Sequence, residues 1–390
     1  MRGSKLVFKV PLIIGLSLII CQSVFPQSKK ANDSRDAAAR PIIWRQPGNI
    51  SARNLYYGPG SAELAPVGPF SFVEEDKGGE SPKFVVRDAR GVEWTVKLGP
   101  EAQAETVSTR LVWAVGYFAE EAYYFDEVRI HRLPRLSRGQ DFVSGDSVRG
   151  ARFEPKRRGM KRGSTWSWHD NPFESTRELS GLKVLMILLN NFDARSENNR
   201  VIYVNAPGRR EARYYVTDLG ATLGRAGGLG GTRTKNDLAD FLSTKFVRGV
   251  DARDGVVEFD YDTRPRGFGH LSVLHPMYYR HEVNKEKAMR GIPITHARWI
   301  GSLLNQLSDD QLRDAFRAAG YSDGVRESYV ASLRERINQL TELRGSPLRR
   351  QRSEGLGTKI GRFNSRAVDK VQTGVSKAFT RVRSTIKGSN

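Results

Sequence analysis

The sequence predicts an α+β chain, β-rich in its first part and mainly helical in its second. Three observations carry that expectation. Runs of β-branched and aromatic residues alternate with Gly-containing turns between residues 69 and 98. Apolar residues recur at steps of three and four from Glu101 to Phe118 and again beyond Thr295. Between these regions an apolar helix, Leu182 to Leu189, runs into a polar loop and a second hairpin.

The chain has 390 residues, enough for one large or two medium domains with a sizeable core. Lysine and arginine number 63 against 43 acidic residues, a formal net charge of +20. That balance favours anionic partners: nucleic acid, acidic lipid headgroups or a phosphate-rich ligand. A single cysteine, Cys21, excludes an internal disulfide. It closes the apolar run Val10–Cys21, which follows Arg2, Lys5 and Lys9. This run has signal-peptide length and is short for a membrane span. Residues 1–28 therefore read as an export signal (periplasmic, secreted or secretory lumen), with an uncleaved N-terminal anchor as the alternative. Leu18-Ile19-Ile20 ahead of Cys21 does not suit lipoprotein cleavage, which needs a small residue there.

Residues 29–60 read as an extended linker, rich in Pro and Gly from Arg40 onward. A strand is expected at Pro69–Val73, then a polar turn ending in Gly78-Gly79. Lys83–Arg87 and Val92–Leu98 form a hairpin around Asp88-Ala89-Arg90-Gly91, and Lys97 lies at its end. The helix from Glu101 to Phe118 places Val107, Leu111, Val115 and Phe118 on one apolar face, with Glu105 in its first turns and able to pair with Lys97. Tyr123–Ile130 and Arg152-Phe153-Glu154-Pro155 read as further strands, flanking and bounding a basic segment, Arg132 to Arg162. Trp166 and Trp168 are expected to dock the following loop on the helical part, although aromatic and basic residues together could also stack a base.

The helix from Glu174 to Asn190 continues through Ser180-Gly181 and ends in Asn190-Asn191-Phe192-Asp193. Asn198 follows five residues after Asp193. A β run at Val201–Val204, a turn at Pro207-Gly208 and a second run at Tyr214–Val216 then deliver Asp218 into Leu219-Gly220. Two acidic residues on loops beside a hairpin, with an asparagine between them, suit phosphoryl transfer. One carboxylate orients a hydroxyl, while the amide and the other carboxylate hold metal ions that bridge phosphates. Six glycines between Gly220 and Gly231 mark a pliable segment. Phe241–Phe246 and Phe259–Tyr261 read as short strands. Thr295–Leu307, Asp309–Ala319 and Val325–Leu343 read as helices, with Ser308 capping the second and Gly320 stopping it.

The spacing of Asp193 and Asn198, followed by a strand pair and Asp218-Leu219-Gly220, resembles the catalytic and metal-binding loops of the atypical protein-kinase-like superfamily. NFDARSEN is closest to the HipA-like and phosphoinositide-kinase-like branch, which lacks His-Arg-Asp. The resemblance implies a two-lobed protein-kinase-like fold: a small antiparallel β N-lobe with one helix (61–155) and a larger, mainly helical C-lobe (156–345). It implies ATP and Mg²⁺ (or Mn²⁺) as cofactors. Lys97, braced by Glu105, would hold the phosphates; Asn198 and Asp218 would hold the metal; Asp193 would be the catalytic carboxylate. No G-x-G-x-x-G precedes Lys97, so Gly78 and Gly79 are the candidates for a short phosphate-facing loop.

Other chemistries find less support. His270, His275 and His281 recur within a dozen residues, but no H-E-x-x-H exists and no cysteine is near, which speaks against zinc. His296 starts a helix and reads as structural. There is no G-x-S-x-G, and Gly227-Gly228-Leu229-Gly230-Gly231-Thr232 lacks the Gly-Lys-Ser/Thr ending of a Walker A loop. The tail, residues 346–390, carries Ile360, Phe363, Ala367, Val371, Val375, Ala378, Val382 and Ile386 in a stripe flanked by lysines and arginines. Such a basic amphipathic segment suits an anionic membrane surface or an acidic partner, ahead of nucleic acid. The competing functional expectation is an exported, catalytically silent binding protein that docks through this tail.

Overall fold

A computed structural model describes residues 39–156, 161–229, 233–251, 253–263, 265–266 and 276–344. The expected signal segment, the basic tail, Arg157-Arg158, His270 and His275, and the side chain of His281 lie outside the described residues. Among the described residues no helix is long and apolar enough to cross a membrane.

After β1 (Arg40–Ile42), the chain forms an antiparallel meander of β2 (Phe70–Asp76), β3 (Lys83–Arg87) and β4 (Glu93–Leu98). Helix α1 (Pro100–Ala114) follows, then β5 (Tyr123–His131), the short β6 (Val143–Ser144) and β7 (Ser147–Pro155). Alternation sends Phe84, Val86, Trp94, Val96, Tyr123 and Phe153 into one apolar cluster. The neighbour order is β4-β3-β2-β5-β7, and β7 then pairs back onto β4 from Trp94–Pro155 to Leu98–Ala151. Strands β2 and β5 meet in parallel at Phe70–Ile130 and Ser71–His131. These five strands make a closed barrel, with β6 attached to β7 outside the ring.

The barrel corrects one expectation. The α+β class holds, but a closed barrel does not match the two-lobed protein-kinase-like fold with its small antiparallel sheet. Closure depends on β2 meeting β5 and β7 meeting β4, pairings between strands far apart in the chain. Local periodicity reports which residues share a face and carries no information on such partners. A register shift between Phe72 and Glu74 adds the bend that closing a small barrel requires.

Helix α1 departs from its expected single apolar face. It is buried nearly all round, Glu105, Thr106, Ser108 and Arg110 included. It runs between the barrel strands β4, β5 and β7 on one side and the helical part on the other. The sequence places its end four residues late. Gly116 turns the chain at φ +99°, where a Cβ would stand 2.3 Å from the Arg45 carbonyl.

The remaining chain builds the larger apolar cluster. In order come β8 (Lys161–Arg162), α2 (Arg177–Leu188), β9 (Asn199–Ala206), β10 (Arg209–Val216), β11 (Gly228–Leu229) and α3 (Leu238–Ser243). Next are β12 (Val247–Asp251), β13 (Val256–Phe259), β14 (Pro265–Arg266), α4 (Pro276–Ala288), β15 (Ile292–Pro293), α5 (Ile294–Leu304), α6 (Asp309–Arg317) and α7 (Asp323–Thr341). Phe241 thus lies in a short helix where a strand was expected. Thr176 caps α2 by accepting from the Leu179 N–H at 3.2 Å. Ser308 caps α6 in a reciprocal box with Gln311. Segment 40–55, read as linker, is built into the fold: β1 lies parallel on β10, and Ile43, Ile50 and Leu55 are buried in the larger cluster. Trp166 and Trp168 are buried there too, and the Trp166 indole N–H donates to the Tyr215 carbonyl at 2.8 Å.

Candidate functional site

Strand register puts Lys97 on β4 directly opposite Arg152 on β7. Two facing cations repel unless a carboxylate stands between them. Helix α1 supplies it: Glu105 lies 2.9 Å from Lys97 Nζ through one oxygen and 3.2 Å from Arg152 through the other. Burial pushes the Glu105 carboxyl up, while Arg152 and Lys97 push it back down. Lys97 Nζ also reaches Glu101 at 3.2 Å and Asp218 at 3.1 Å. Burial alone would depress its pKa, but Glu105, Asp218 and Glu101 outweigh that and hold the ammonium well above its ordinary value. Lys97 is therefore a cation fixed by three carboxylates.

Asp218 arrives from the helical part at the end of β10, and its side chain is 45% exposed, against 10% for Lys97. Its loop is tied to the preceding one: the Thr217 N–H and hydroxyl both donate to the Asn198 carbonyl at 2.9 Å. Asn198 in turn donates through Nδ2 to the Asp193 carboxylate at 2.9 Å and to its carbonyl at 2.8 Å. Asp193 also holds Arg195 in an ion pair. Asn190 starts this loop in the left-handed region, φ +53°, and its amide binds the Gly224 carbonyl and the Thr244 hydroxyl, each at 2.7 Å.

The structure thus joins Lys97, Glu105 and Asp218 in one cluster, and Asp193 with Asn198 in another, the two linked through Thr217. Gly78 and Gly79 form the β2–β3 turn. The Gly78 N–H is taken by Asp76 at 2.9 Å, and Gly79 has φ +68°. From this turn it is Ser81 that reaches the cluster, on Glu101 at 2.5 Å.

Several residues in the site carry no motif. Glu101 follows Lys97 by four positions and holds Ser81, Lys97 and Lys235; their pull brings its carboxyl down to about 2 despite partial burial. Arg152 could have been suspected only from the strand register. Lys285 donates to the Phe192 carbonyl at 3.0 Å beside Asp193, and burial lowers its pKa. Away from this site, His296 binds the Ser180 hydroxyl at 3.0 Å, between α5 and α2.

Among the described residues no group of three or more His, Cys, Asp and Glu is placed to hold a metal ion unaided. Mg²⁺ needs less, since it is usually held by one or two carboxylates together with waters and substrate phosphates. The Asp218 carboxylate is open to solvent, and both Asn198 bonds use Nδ2, leaving the amide oxygen as a second hard donor. These donors fit such an ion. A separate cavity of about 340 Å³ lies between Phe118, Glu154, Ile202 and Tyr215 and includes none of Lys97, Asp193 or Asp218. Compared with protein-family models, curated proteins and solved structures, the chain matches none.

Proposed function

We propose that the chain is a phosphotransferase that uses ATP with Mg²⁺ or Mn²⁺ and passes a phosphoryl group to a hydroxyl acceptor. The observation that carries this reading is Lys97 Nζ held between the buried Glu105 at 2.9 Å and the half-exposed Asp218 at 3.1 Å. A lysine fixed in this way is positioned to take polyphosphate oxygens, and positioning with charge stabilisation is most of what phosphoryl transfer asks of a protein.

Asp193 would accept the proton of the acceptor hydroxyl. The hydroxyl oxygen forms its bond to the terminal phosphorus as the bond to the bridging oxygen breaks, and that electron pair leaves with the nucleoside diphosphate. Asn198, bonded to Asp193 at 2.9 Å, fixes the carboxylate's direction. A divalent cation on Asp218 and the Asn198 amide oxygen would neutralise charge on the phosphates.

The test is a thermal shift of the purified chain with ATP and Mg²⁺ or Mn²⁺, beside Asp218→Ala. A metal-dependent rise in melting temperature that the variant loses supports the reading. No shift at millimolar ATP would defeat it and leave a binding protein without transfer activity.

A further inference from the structure

We infer that Glu101 is a built-in occupant of the phosphate position at Lys97, and that Ser81 and Lys235, which it now holds, are further phosphate ligands freed when a nucleotide displaces it. The inference rests on the phosphotransferase reading of the same site.

One carboxylate collects donors from three separate segments. Glu101 Oε2 stands 3.2 Å from Lys97 Nζ and 2.5 Å from the Ser81 hydroxyl, while Oε1 is ion-paired with Lys235. Ser81 comes from the turn after Gly78-Gly79, and Lys235 from the segment beyond Asp218. Two ammoniums and a hydroxyl converging on one anion make the donor set that phosphate oxygens take. The cluster opens on the side of Lys235 and Asp218, whose side chains are 37% and 45% exposed. An entering anion meets these two first.

Charge decides which carboxylate gives way. Glu101, Glu105 and Asp218, with Glu154 on Arg152, already outnumber Lys97, Arg152 and Lys235, so polyphosphate added to the intact cluster would meet no unbalanced cation. Glu105 is locked between Lys97 and Arg152, and Asp218 is the metal donor. Glu101 alone can leave. Its backbone stays, because a Cβ on Gly220 would lie 2.7 Å from Glu101 Cβ, so the first turn of α1 is seated against Asp218-Leu219-Gly220. Release is a rotation of the side chain.

The test is calorimetric titration of the full chain with ATP and Mg²⁺, comparing wild type with E101Q, K235M, S81A and K97M. E101Q is expected to bind ATP about ten-fold tighter, K235M about ten-fold weaker, and S81A weaker by a smaller factor. E101A replaces E101Q if the latter fails to fold, judged by circular dichroism. Binding by wild type that E101Q weakens, or leaves within two-fold, overturns the inference while the phosphotransferase reading stands. Folded wild type and E101Q that both ignore millimolar ATP overturn both.

Discussion

Arg152 and Lys97 face each other on neighbouring barrel strands, and Glu105 stands between them at 3.2 Å and 2.9 Å. The three form a charge sandwich whose outer member, Arg152, is also held by Glu154 at 3.1 Å. Removing one member of a buried ion pair strands the other and costs about 3–5 kcal/mol. Arg152→Met should therefore lose about that much stability in urea denaturation, and Arg152→Lys, which keeps the charge, should lose less. Equal losses in the two variants would mean that packing of the arginine stem, and not its charge, is what the barrel needs.

Asp193 and Asp218 should separate kinetically. Asp193 is bonded to Asn198 and Arg195, whereas Asp218 lies 3.1 Å from Lys97 on the open side. Asp193→Asn is expected to keep ATP binding and lower transfer on the order of 10²–10⁴-fold, the usual share of a general base. Asp218→Asn should lose metal-dependent binding itself. Single-turnover rates and binding titrations on both variants check the split, and an Asp193→Asn variant that transfers at wild-type rate would remove that residue from the chemistry.

Glu101 also fixes a pH dependence. Its carboxyl falls from an ordinary value of 4.5 to about 2 in the folded chain. Between those values the unfolded chain binds the proton and the folded chain does not. The stabilisation is therefore complete above pH 4.5 and is lost as pH falls toward 2. The difference corresponds to roughly 3 kcal/mol. Denaturation free energies measured from pH 6 to pH 2 should fall less steeply in Glu101→Gln than in wild type. Parallel curves would show that folding does not lower the Glu101 carboxyl.

How much of this was legible follows the range of each interaction. Most strands and helices announced themselves because alternation, three-and-four spacing and caps such as Ser308 are local. Lys97, Glu105, Asp193, Asn198 and Asp218 could be named because short motifs in this order resemble those of the kinase-like superfamily, and Lys97 and Glu105 lie on either side of one short strand-to-helix turn. Arg152 and Lys235 could not, since one enters through strand register and the other through a contact 134 positions from Glu101. The barrel was missed for the same reason, as β2–β5 and β4–β7 are partnerships that no window of sequence contains. Asn190 was expected to end the helix, and it follows the helix in a left-handed conformation, held by Arg336 at 3.2 Å.

Gly181 gives the sharpest test of packing against propensity. Within an isolated helix a Gly→Ala change gains about 1 kcal/mol. In α2, however, the added Cβ would stand 2.5 Å from the Tyr117 hydroxyl and 2.7 Å from the Trp299 ring. Neither neighbour can yield freely. The Tyr117 hydroxyl donates to the Glu178 carbonyl at 2.6 Å, and Trp299 is held edge-on by Trp44 at 5.3 Å with Arg177 over its face at 5.0 Å. Overpacking of this kind costs about 1–3 kcal/mol, which exceeds the helical gain. Gly181→Ala should therefore lower the melting temperature by a few degrees, and adding Tyr117→Phe, which removes the nearest atom, should recover part of the loss. A Gly181→Ala chain at least as stable as wild type would show that α2 and α5 have room to separate.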